Sequence, residues 1–302
     1  MARHYPCGGL TARTAVRAGP DQGGAIDGVA LALVLTAAGA HATWNLLAKQ
    51  ARSTGFGLTW LYSVAGVVIW APPAIVQGAI KGGITWAGVG FMAGSGLLHV
   101  GYFTSLQRGY REGDLSVVYP LARGTGPVLS VAGAIVLLGE RPSAIGLLGG
   151  ALIIAAVLTL ALGGSRKGIG AALSTGVFIA AYTVWDAHAV GALAQPAIVY
   201  YAGSELFRAI IQAPLARGED IRGIWRRDRR AIVGVGALGG LAYILVLIAL
   251  TRAPVSLVAP VRESSVVLGA LLGARVLGEG DLPKRILAAS AIAAGIAALA
   301  LS

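Results

Sequence analysis

Ten apolar runs follow one another along this chain, and each is close to the about 20 residues an α-helix needs to cross a bilayer. They are Ile26 to Ala48, Gly55 to Val76, Trp86 to Gln107, Leu115 to Leu138, Ser143 to Leu162, Gly168 to Val190, Ala197 to Leu215, Ala231 to Leu250, Val255 to Leu277 and Leu282 to Leu301. The connections between them are short, and the longest is RGEDIRGIWRRDRR at 217–230. In hydrocarbon every backbone N–H and C=O must be paired inside the protein, which leaves helices or closed barrels. The runs do not alternate with the period of two that a barrel requires. The fold expected is an all-α integral membrane protein of ten transmembrane helices.

Composition agrees. Of 302 residues, 56% are hydrophobic and 12% charged, whereas soluble domains carry about a quarter charged residues. The net charge of +11 would point to nucleic acid in a soluble protein. Here the Lys and Arg fall between apolar runs, where they face lipid headgroups, so no nucleic-acid partner is expected and the Arg-rich segment 217–230 is assigned to anionic lipid. A lone Cys7 excludes an intrachain disulfide framework and a Cys-rich metal site. Neither HExxH nor GxxxxGK[ST] is present, and nothing calls for ATP or another cofactor. Residues 1–25 lack the apolar core of a signal peptide and read as a disordered tail.

The chain also repeats itself. AHATWNLLA at 40–48 aligns with AYTVWDAHA at 181–189, placing His41 on Tyr182, Trp44 on Trp185 and Asn45 on Asp186. LSVVYPLARGTGPVL at 115–129 aligns with VSLVAPVRESSVVLG at 255–269, so Arg123 meets Glu263. LLGERP matches VLGEGD, and Tyr102 corresponds to Tyr243. Two units result, 26–163 and 164–302, of five helices each. An odd number of spans turns the second unit upside down, and such inverted repeats place a solute site near the bilayer midplane where the units meet.

The residues HATWNLLAK at the end of the first run, APVRESSVV in the ninth and LGE after the fourth and ninth resemble EamA-type members of the drug/metabolite transporter superfamily. The resemblance covers about residues 26–301. It implies a ten-helix carrier of small organic metabolites, often amino acids, frequently an exporter, in the inner membrane of a bacterium. Small multidrug resistance proteins look like half of this architecture and carry a carboxylate eight residues before a Lys. Eight residues before Lys49 stands His41, with Tyr182 as its repeat partner, so proton coupling falls to His41, whose imidazole titrates near neutral pH.

Charged groups at the middle of a membrane helix cost about 2.5–3.5 kcal/mol on insertion scales and turn inward. His41, Trp44 and Asn45 share one helical face, as do Tyr182, Trp185 and Asp186. Each Trp also fits an interfacial aromatic belt. Arg123 and Glu263 are expected to face the cavity and pair there, or to hold the two ends of a zwitterion, with Arg262 projecting about 100° away. The candidate solute site is therefore His41, Trp44, Asn45, Tyr102, Arg123, Tyr182, Trp185, Asp186, Tyr243 and Glu263. Glu205 and Arg208, three apart, read as a structural pair. Glu140 and Glu279 read as loop anchors.

The function expected is secondary transport of a small organic solute by alternating access. The alternative is a flippase for lipid or a lipid-linked sugar. An enzyme would need a nucleophile–base pair, which neither His41 nor His99 supplies in sequence. Charge bias puts both termini outside, whereas the family's usual arrangement puts them inside.

Overall fold

A computed structural model describes residues 26–82, 84–113, 115–159, 167–266, 268 and 282–301. Among them the regular structure is helical, in the segments α1 Gly28–Lys49, α2 Phe56–Lys81, α3 Trp86–Glu112, α4 Leu115–Leu137, α5 Ala144–Thr159, α6 Ile169–Gly191, α7 Ala197–Gln212, α8 Ile221–Leu250, α9 Val255–Arg262 and α10 Leu282–Ala300. Each overlaps one predicted run. Cys7, Glu279 and the tail 1–25 lie outside the described residues.

The helix starts have identifiable causes. Asp27 accepts from Ala30 N at 2.6 Å, Thr85 from Gly88 N at 3.0 Å and Asp220 from Gly223 N at 2.8 Å, each satisfying an N–H that the helix cannot pair. Pro196 and Pro254 stand just before α7 and α9, where a missing N–H costs nothing. Two more starts are capped from far away in sequence. Glu140 accepts from Val255 N and Ser256 N at 2.7 and 2.9 Å, and Glu219 from Phe56 N and Gly57 N at 3.1 and 3.0 Å. Glu140 is thus an anchor for the start of α9.

Two segments differ from the sequence reading. The Arg-rich stretch 217–230 is not simply a loop: α8 begins at Ile221 and kinks at Asp228 (φ −122°, ψ 16°). Its first turns hold because Ile221 and Ile224 pack against Leu58 and Leu61 while Arg222, Arg226 and Arg227 stay exposed. That amphipathic pattern suits a helix at a surface. The ninth run is not one continuous helix. α9 stops at Arg262, Glu263 forms a turn, and helix resumes at 264–266. Pro260 has no N–H to give to the preceding turn, and Glu263 N instead bonds Pro260 O at 3.0 Å.

Helix packing crosses the two halves. α1 lies on α8 and α3 on α6; α2 packs against α7 and α8, α3 against α7, α4 against α6, and α5 against α10. Small residues permit close approach. A Cβ on Gly236 would stand 2.8 Å from Ala65 Cβ and 2.9 Å from Gly66 N, so α8 touches α2 nearly backbone to backbone. Large apolar side chains such as Trp86, Val136, Ile80 and Leu148 face outward, as they do where lipid is the solvent. α1, α2, α6 and α8 are long and apolar enough to cross a membrane by length and composition.

Candidate functional site

A cavity of about 100 Å³ lies among α1 to α4 of the first half and α6 to α9 of the second. Its wall is rich in aromatic side chains: Trp44, Tyr62, Tyr102, Phe103, Tyr182, Tyr201 and Tyr243. Charged or titratable groups enter at His41, His99, Arg123, Glu205, Arg208 and Arg262. A chamber of this kind, apolar with a few converging polar groups, is the usual form of a small-molecule site.

One cluster surrounds Glu263. This carboxylate is 1% exposed, and its Oε1 lies 3.5 Å from both Arg123 Nη1 and Arg262 Nε. Two buried guanidinium groups therefore share one carboxylate. Arg123 also meets His41 Nε2 through Nη2. Arg262 is less well held: among the described residues neither its Nε nor its Nη2 has a hydrogen-bond partner. Its guanidinium lies 6.0 Å from the Tyr182 ring centroid.

A second cluster stands on α7. Arg208 Nη2 lies 2.8 Å from Glu205 Oε2, and Arg208 Nε donates to Ser63 Oγ at 2.7 Å. Ser63 in turn bonds Gln212 Oε1 at 3.2 Å. The cavity thus has Arg262 and Arg123 on one side of its lining set and a Glu205–Arg208 pair on α7.

A third cluster is Asp186, fully buried on α6. Tyr200 OH donates to its Oδ1 at 2.6 Å, and Tyr243 OH donates to its Oδ2. Tyr243 reaches the cavity, whereas Asp186 lies behind it.

Of the ten residues singled out in the sequence, six line the cavity: His41, Trp44, Tyr102, Arg123, Tyr182 and Tyr243. Glu263 is one ion pair behind the wall and Asp186 one hydrogen bond behind it. The other two point elsewhere. Asn45 Nδ2 turns back to His41 O at 2.8 Å. Trp185 is 37% exposed, donates to Phe91 O at 2.9 Å, and lies against Phe91, so it does not share the environment of its repeat partner Trp44.

The expected division between Arg262 and Glu263 is reversed, since Arg262 reaches the cavity and Glu263 sits behind it. Glu205 and Arg208 do pair as their spacing indicated, but they also line the cavity. Tyr62, His99 and Tyr201 were not among the solute-site candidates, because they have no equivalent in the aligned segments.

Residues 166–301 match the model of the EamA-like transporter family. One solved crystal structure superposes with a TM-score of 0.74 over 90% of this chain and 96% of its own, at 22% identity, a likeness that shows the fold alone. No curated protein matches the chain. The family match covers the APVRESSVV and second LGE motifs, so the second half of this bundle of apolar helices is similar to the EamA-like transporter family.

Proposed function

We propose that this protein is a secondary carrier that exports a small zwitterionic metabolite, such as an amino acid or a relative of one, by alternating access coupled to protons. The observation that carries the reading is Arg262. Its buried guanidinium borders the cavity with Nη2 unpartnered among the described residues, and a planar guanidinium suits a carboxylate. Glu205 offers an acceptor for an ammonium group in the same cavity, and the aromatic faces around it favour a cation.

The repeat reading supports alternating access. Four helices of each half line the cavity, and the α1–α8 contact is the counterpart of the α6–α3 contact under exchange of the halves. Ten spans in two inverted units of five fit that exchange. The charged lining speaks against the alternative, a flippase, whose cavity would open sideways to lipid and carry less charge.

The test is a thermal-stability screen of the purified protein with amino acids, simple carboxylates and simple amines. A ligand at 100 times its Kd stabilises a fold by about 2.7 kcal/mol. Amino acids should raise the unfolding temperature most, and the gain should vanish in Arg262→Ala and shrink in Glu205→Gln. Stabilisation that survives both substitutions would overturn the zwitterion assignment. In proteoliposomes, Arg123→Ala and Glu263→Ala should abolish transport while the protein still inserts.

A further inference from the structure

The carrier reading needs a group that takes the proton, and the environment of His41 does not suit it. Trp44 Nε1 points at His41 Nδ1 at 3.3 Å, and the Arg123 guanidinium points at Nε2. Indole N–H and guanidinium are donors only. Both imidazole nitrogens therefore face donors, and a second proton on the ring would confront a cation with no acceptor.

Asp186 has the opposite surroundings. It is a buried carboxylate whose two oxygens accept from two phenols, Tyr200 of α7 and Tyr243 of α8. On α3, His99 is stacked on Tyr182 and edge-on to Tyr243, the phenol that donates to Asp186, and Ser95 Oγ lies 3.4 Å from His99 Nδ1. From α9, the Arg262 guanidinium acts on it through space. From α4, the charged group is Arg123, which is engaged with Glu263 and His41 instead. Tyr182 is the nearby titratable group on α6 itself.

We propose that Asp186 is the proton-binding site of this carrier and that Tyr243 links it to the cavity; this rests on the carrier reading above. A phenol can both donate and accept. With Asp186 ionised, the Tyr243 hydroxyl hydrogen points to Oδ2. When a proton from cavity water reaches Asp186, the carboxylic O–H donates to the Tyr243 oxygen. The Tyr243 hydrogen is then free to turn into the cavity. One proton is taken up, no covalent bond other than O–H changes, and the hydrogen bond reverses. The proton also removes the negative charge that faces Arg262, so the state of Asp186 is felt by the group assigned to the solute.

Infrared difference spectroscopy of the purified protein on acidification tests this without a solute. The wild type should gain the C=O band of a buried carboxylic acid. Asp186→Asn should lose that band, whereas Glu205→Gln, Glu263→Gln and His41→Ala should keep it. Tyr243→Phe, which retains the carboxylate, should keep the band but shift its frequency, because the hydrogen-bond partner is gone. A band that persists in Asp186→Asn, or that disappears in Glu205→Gln or Glu263→Gln, would overturn the assignment, as would the same frequency in Tyr243→Phe. A protein that shows the Asp186 band but moves no amino acid in proteoliposomes would instead defeat the carrier reading and leave the proton site standing.

Discussion

At the scale of single residues, two guanidinium groups on one carboxylate are not equivalent. Arg123 has Glu263 and His41 as partners; Arg262 approaches Glu263 at 3.5 Å and stands over Tyr182, with Nε and Nη2 making no hydrogen bond among the described residues. Removing either guanidinium leaves Glu263 with the other, but removing Arg123 also takes away the partner of His41 and the hydrogen bond that Glu263 accepts. Breaking a buried pair by deleting one partner costs about 3–5 kcal/mol. Arg123→Ala should therefore lower the unfolding temperature in detergent clearly more than Arg262→Ala, while Arg262→Ala loses more of the solute-induced stabilisation. Equal losses from the two would mean that Arg262 is as structural as Arg123. The Arg123–Glu263 pairing was legible because the repeat puts opposite charges at one depth. Arg262 was not, because periodicity separates it from Glu263 without saying which of the two faces the cavity. Equivalence between repeats was also an imperfect guide. His41 and Tyr182 both reach the cavity, but Trp185 leaves it and Asn45 bonds its own helix.

At the scale of elements, two distant carboxylates hold helix ends that no local sequence signal could supply. Glu140 closes the α4–α5 connection and caps α9, the helix that carries Arg262. A carboxylate there also meets the positive end of the helix dipole. Glu140→Ala leaves two backbone donors without their partner and should cost about 1–3 kcal/mol, with a parallel fall in transport as α9 loosens. Glu140→Gln keeps one acceptor and should lose less.

Asp228, at the kink of α8, plays a similar part for the α1–α2 connection, accepting from Arg52 N and Ser53 N at 2.8 and 2.9 Å. Its burial works against the charge, but the bonds from Ser53 and Arg52 outweigh that and hold its carboxyl below the ordinary 3.8. A lowered folded value gives stability that is complete above the ordinary carboxylate range and disappears as the pH falls through the lowered value. The wild type should thus lose stability on acidification below about pH 4, and Asp228→Asn should show a smaller loss over that range because it has no such proton to take up. The length and apolarity of the helices were legible from sequence. These anchors were not, since they join residues separated by more than a hundred positions.

At the scale of the molecule, the packing suggests that the moving bodies are not the sequence halves. α3 and α4 of the first half pack on α6 of the second, and α1 packs on α8 and α9. The polar contacts of the cavity lie between these two groups: His41 of α1 with Arg123 of α4, Arg123 with Glu263 after α9, and Tyr243 of α8 with Asp186 of α6. On the proposed alternating access, α3, α4 and α6 would rock against α1, α8 and α9, remaking those contacts while leaving each group intact. Ser105 of α3 and Ser174 of α6 allow a direct test, since their Oγ atoms lie 3.2 Å apart. Replacing both with Cys, and Cys7 with Ser, places two thiols where a disulfide needs only a small adjustment from its bond length of about 2.05 Å. The bridge joins the two halves but stays within one group. Oxidation should therefore leave transport within about twofold of the reduced protein. Arrest on oxidation, reversed by a reductant, would show instead that α3 and α6 move apart and that each five-helix half is the rigid body.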